Sequence, residues 1–177
     1  MLTVNNELIA LIAEGATEEA ILSVLIDHNG LIYNWDDLLQ QEIIRCRSGK
    51  EFARKYLNKS IGKKVKIYRI LDSKKERFKL PLAYKNKVSE IVNIYTRPEI
   101  EILHIIFHGD YRQYKNQSHV KPSIYAKENY KDLKNIKSFK ENYNFWNENY
   151  DSLVHALKIY KKYSNNKELC IADLLSS

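Results

Sequence analysis

Glu14, Glu18, Asp72, Glu99 and Glu101 are the residues whose types and positions in this sequence could do chemistry. Glu14 directly follows the apolar run Leu8 to Ala13, and Asp72 directly follows Val65 to Leu71. Glu99 and Glu101 come shortly after Ser89 to Tyr95. Each carboxylate thus falls where a strand-like stretch ends. Converging carboxylates offer hard oxygen ligands, which suit Mg²⁺ or Mn²⁺. A cation held that way neutralises a phosphate and the charge that develops on the attacking and leaving oxygens of phosphodiester cleavage.

Ordinary roles compete with this one. Acidic residues in a helix's first turn are favoured by the macrodipole, and Glu18 and Glu19 follow Thr17, which reads as an N-cap. Asp72 before Ser73 could bond its own backbone in a turn. Glu14 is harder to assign structurally, because a carboxylate at the end of a buried strand needs a partner or a metal to offset its desolvation. Glu101, surrounded by apolar residues, is either buried and functional or on a solvated edge.

The elements that must position these groups alternate. The short continuous apolar run at Leu8 to Ala13 suits a strand buried on both faces of a parallel sheet. Gly15 permits a tight turn, and Ile21, Leu22, Val24 and Leu25 mark the helix that follows. Further along, Leu31 to Tyr33 reads as a short strand and Asp36 to Asn58 as a helical region divided by Gly49. Val65 to Leu71 and Ser89 to Tyr95 read as strands, and Pro98 as the first residue of a helix carrying Ile100, Leu103, Ile106 and Phe107. Strands alternating with helices imply an α/β fold: a mainly parallel, Rossmann-like sheet flanked by helices, with ligands beyond the carboxyl ends of the strands.

Residues 1–110 form this core. Residues 111–177 read as a helical C-terminal extension of the same domain, with packing helices at Pro122 to Tyr130, Phe139 to Tyr150 and Ser152 to Tyr163 and a short tail helix near Ile171 to Leu175. Asp110 to Lys121 lacks periodicity and reads as a loop beside the site.

The 177 residues, 44% of them hydrophobic, suffice for one folded domain. No apolar run is long enough to span a bilayer, and Glu7 and Glu14 interrupt the residues that a signal peptide would need, so a cytoplasmic protein without a membrane partner is expected. Cys46 and Cys170 have no second Cys or His at metal-ligand spacing and read as idle thiols. The net charge of +7, concentrated after Gly49, suits a polyanionic partner or simply a Lys-rich, soluble surface. Tyr111, Tyr114, Tyr125 and Tyr130 alternate with basic residues, as stacking platforms for single strands do, or serve as core residues.

Glu14-Gly15-Ala16-Thr17-Glu18-Glu19, closing an apolar strand, resembles the first TOPRIM motif, and the strand ending at Asp72 resembles the second. Thr96 to His104 (TRPEIEILH) and Lys121 to Lys127 (KPSIYAK) are similar to segments of RloB-like proteins. These stretches span most of the chain, in the order found in TOPRIM domains of the OLD-family and RloB-like type.

The resemblance implies a Mg²⁺- or Mn²⁺-dependent nuclease acting on DNA or RNA, in prokaryotic or phage-related defence, with an ATPase as possible partner protein. Glu14, Asp72 and Glu101 would be catalytic, and Glu14, Glu18, Asp72 and Glu101 would bind metal. The chain departs from the pattern where Ser73 and Lys74 stand in place of the motif's second aspartate. Lys74, Lys75 and Arg77 could contact the nucleic acid there, or form a solvated loop. His104 is a weaker ligand candidate than the carboxylates. The rival readings are a catalytically silent nucleic-acid or partner-binding module with a degenerate site, and a phosphotransfer domain acting on a nucleotide.

Overall fold

The computed structural model describes residues 7–164 and 167–176. Its centre is a sheet of parallel strands in the order β2-β1-β3-β4. These are β1 (Glu7–Ala13), β2 (Ile44–Arg45), β3 (Lys64–Leu71) and β4 (Val88–Tyr95). The expected α/β architecture is present, with β1 and β3 as the interior strands. Their register sets Leu8 beside Val65 and Ala13 beside Ile70, so the two strands end level. Glu14 and Asp72 consequently leave the sheet at the same edge.

Alternation divides the interior strands between two cores. Ile9, Leu11, Tyr68 and Ile70 face the larger, with Ile94 of β4. Ala10, Ile12, Val65 and Ile67 face the smaller. Helix α1 (Ala16–Asp27), buried from Ala20 to Ile26, lies in the larger core, covered in turn by α6 (Phe139–Glu148). The smaller core is closed by α2 (Gly49–Phe52) and a wide helical turn over Ala53–Leu57. Gly49 is required there by close approach, since a Cβ would stand 2.5 Å from the Lys79 carbonyl oxygen.

The remaining helices are α3 (Ile102–Phe107), α4 (Tyr111–Lys115), α5 (Pro122–Asn129) and α7 (Tyr150–Tyr163). α3 packs against α5 and α7, so the C-terminal helices share the larger core with the sheet. Asn142 of α6 is fully buried. Its amide nitrogen donates to the carbonyls of Ile136 and Ser138, at 2.7 and 2.8 Å. Its oxygen therefore accepts from Nε2–H of His104, 3.0 Å away, which fixes the histidine's neutral tautomer. His104 is a structural residue, its pKa pushed down to about 4 by burial.

Several local expectations are corrected. Leu31 to Tyr33 is not a strand: Leu31 alone makes a bridge, antiparallel, to Leu175. The region 36–58 is not a helical region divided by Gly49 but short helical turns around β2, a strand of two residues and so too short for a readable period. Pro98 follows a cis peptide bond and does not open a helix, which begins only at Ile102. Asp110 to Lys121 contains α4, whose five residues are too few to show a period. The tyrosines serve packing: Tyr114 and Tyr125 are buried, Tyr111 stacks on Tyr163, and Tyr130 stacks on His108. Among the described residues, no helix is long and apolar enough to cross a membrane.

Candidate phosphate and metal site

At the carboxyl edge of the sheet, Glu14, Glu18, Asp72 and Glu101 line one cavity of about 200 Å³. The β1 end supplies Glu14, the first turn of α1 supplies Glu18, the β3 end supplies Asp72, and the turn before α3 supplies Glu101. All four sequence-predicted acids are thus brought to one place. Arg47 and Lys137 line the same cavity. Four formal negative charges against two positive ones leave the lining acidic.

The local backbone explains the arrangement. The helix cap is Gly15, not Thr17, and it has extended backbone and no capping side chain. Thr17 instead turns inward, almost fully buried, with its Oγ1 3.3 Å from Glu101 Oε1 and 3.4 Å from the Ile136 carbonyl oxygen. Glu18 folds back over Gly15, where a Cβ would stand 2.6 Å from its Oε2. Glycine at this point leaves room for the carboxylate. The expected acidic pair at the third position divides: Glu101 enters the cavity, while Glu99 accepts the Ser123 amide at the start of α5, at 3.1 Å.

Desolvation dominates the electrostatics. Glu14 is held above the usual carboxylate pKa first by burial and then by the negative charges of Glu76 and Asp72, with Arg47 and Arg69 opposing. Burial likewise raises Glu18 and Glu101, and Glu18 also feels Glu101. Lys137 Nζ lies 3.4 Å from Glu101 Oε1. Burial opposes the ammonium charge, but Glu101 and Glu99 outweigh it and raise the lysine's pKa. Glu14 Oε1 is buried without a hydrogen-bond partner.

The residue types fit a divalent cation: every candidate donor is a carboxylate oxygen, one such oxygen is orphaned, and the lining carries excess negative charge. The placement is looser than a finished shell. Among the described residues, no group of three or more His, Cys, Asp or Glu side chains is gathered so as to hold a metal ion.

Three basic residues of the site escaped the sequence reading. Arg47 sits in an irregular segment, and Lys137 in a polar one distant in sequence from the four acids of the cavity. Arg69 is only 4% exposed, with its guanidinium 4.6 Å from the Phe78 ring centre and Nη1 3.4 Å from Asn93 Oδ1. An arginine among the apolar residues Ile67 to Leu71 was the available signal. Of the expected nucleic-acid contacts, Lys75 and Arg77 are exposed. Lys74 pairs with Glu168, which also accepts from Arg97 Nη2 at 2.6 and 2.7 Å.

No family model matches the chain, and no curated protein or solved structure matches it either.

Proposed function

We propose that the chain is a metal-dependent phosphodiesterase acting on DNA or RNA, with Mg²⁺ or Mn²⁺ held by Glu14, Glu18, Asp72 and Glu101. The observation that carries this reading is the convergence of these carboxylates, from separate strand ends, on one cavity that contains a buried, unpartnered oxygen of Glu14. When bound, the cation would neutralise the phosphate and stabilise charge in the transition state. Arg47 and Lys137 supply positive charge for the remaining phosphate oxygens. Glu14, whose burial favours the protonated form, is suited to take up and return a proton, and Asp72 and Glu101 complete the catalytic set. A role in prokaryotic or phage-related defence, and an ATPase partner, rest on the resemblance to TOPRIM domains of the OLD-family and RloB-like type.

A second reading, a catalytically silent nucleic-acid-binding module, is favoured by the loose spacing of the carboxylates and by Ser73 and Lys74 after Asp72. Calorimetric titration of Mg²⁺ and Mn²⁺ into the wild type and into Glu14→Ala, with plasmid and RNA cleavage assays in the same buffers, separates the two. The phosphodiesterase is expected to bind metal saturably and cleave, and to lose both in the variant. Salt-sensitive nucleic-acid binding without metal uptake would sustain the silent module instead.

A further inference from the structure

A second cavity, of about 720 Å³, shares Lys137 with the acidic one and is lined largely by residues 130–137. That volume is within the range of roughly 300–1,000 Å³ typical of small-molecule sites. Its walls include Ile124, Ala126, Leu133 and Ile136, which offer apolar surface to a flat ring. His104 and Tyr130 add aromatic edges. His104 is neutral and fixed by Asn142, and the Tyr130 hydroxyl is engaged with Asp110 Oδ2 at 2.8 Å. Neither introduces a charge into the cavity.

Charge at the cavity is segregated by function. Lys127, Lys134 and Lys137 line it, against Glu128 and Asp132, and Asp132 is already paired with His108. Lys137 is itself paired with Glu101, so the positive charge offered to an anion comes from Lys127 and Lys134. Lys137 lines both cavities and stands 3.4 Å from Glu101, so a phosphate beside it would be at the threshold of the carboxylate site. The wall between the two is tied from both sides: the Ile136 carbonyl lies within reach of Thr17 Oγ1 and accepts from Asn142.

We infer that this cavity receives one unpaired nucleotide, its base and sugar against the apolar walls and its phosphate directed past Lys137 toward the carboxylates. The inference rests on the phosphodiesterase reading and specifies its substrate. A paired base has its edges and both faces occupied in a duplex and cannot lay a face on the cavity's apolar wall without being extruded. The substrate class is therefore a free nucleotide or an unpaired residue of a single strand.

The test is calorimetric titration of adenosine monophosphate, of a short single-stranded oligonucleotide and of its duplex into the wild type, Ile124→Trp, Lys134→Glu and His155→Ala. Ile124 is 48% exposed at the cavity wall, so tryptophan can fill the space without disturbing the core. Binding of the single strand is expected to exceed that of the duplex by about tenfold or more, and to fall by about tenfold in Ile124→Trp. Lys134→Glu is expected to weaken it as well, while His155→Ala, an exposed change on α7 outside both cavities, keeps it. Tight monophosphate binding identifies a free nucleotide as the source, and binding of the strand alone identifies a strand residue. Equal affinity for single strand and duplex, or wild-type affinity in both cavity variants, overturns the inference. Cavity-dependent binding without cleavage by the wild type would leave the inference standing and remove the phosphodiesterase reading. Cleavage unaffected by Ile124→Trp would do the reverse.

Discussion

Thr17 Oγ1 lies 3.3 Å from Glu101 Oε1, although 84 residues separate them in the chain. The same oxygen is 3.4 Å from the Ile136 carbonyl, and a hydroxyl has one proton to give. Thr17 therefore joins the acidic cavity to the segment that roofs its larger neighbour. Thr17→Val, which keeps the shape and removes the hydroxyl, is expected to cost about 1 kcal/mol of stability. Thr17→Ser should recover most of it, as read by urea unfolding of the two variants side by side.

Gly15→Ala tests the close packing of Glu18. Gly15 has φ of −133°, which alanine adopts without strain, so the only obstacle to the new Cβ is the Glu18 carboxylate. The fold should persist while Glu18 is pushed aside. Mg²⁺ affinity is expected to weaken by about tenfold, the scale of changes that reorient a ligand, with thermal unfolding nearly unchanged. Unaltered metal affinity would show that Glu18 is not a ligand.

His104 sets a pH dependence. Its pKa, ordinarily 6.5, is pushed down to about 4 because its burial disfavours the charged ring. A depressed histidine contributes stability that is present above the unfolded value near 6.5 and is lost as pH falls toward the folded value, because the unfolded chain takes up the proton first. By about pH 5 the loss attributable to this residue is about 2 kcal/mol. Denaturant unfolding at neutral and acid pH should show His104→Gln losing less stability than the wild type over this interval.

Glu168→Gln should release Lys74 and Arg97, which it now holds beside Asp72. Both cations are partly exposed, so the expected consequence is in binding to polyanions. Fluorescence anisotropy with a labelled single strand should show tighter binding and a salt slope steeper by about one to two. An unchanged slope would mean that neither cation reaches the strand.

What could be read from the sequence followed the strength of local patterns. β1 was legible because a strand buried on both faces is apolar throughout, β3 by its partial alternation, and Glu14 and Asp72 as the acidic residues that follow them. Glu101 stood out as a carboxylate within an apolar stretch. The region 36–58 was misread because β2 derives its identity from pairing with β1, as Ile44 beside Ile12, and not from any period of its own. Thr17 was misread because a threonine before acidic residues has the local signature of a cap, while its actual partner comes from tertiary packing. Arg47 and Lys137 were unreadable as site residues because ordinary charged residues reach the cavity only through the fold.

The unequal cores on the sheet's two faces set the two cations of the site against layers of different thickness. Arg47 immediately precedes the thin layer of α2 and the Ala53–Leu57 turn, whereas Lys137 is anchored beside α6 and the thick layer. Amide hydrogen exchange should therefore be faster around Arg47, since a layer with less buried apolar surface opens at lower free energy. Each such opening withdraws a counter-charge from Glu14 and leaves the rest of the acidic wall standing. A cation affinity measured for the cavity is then expected to be an average over openings of the sheet's weaker face, and not a fixed property of its lining.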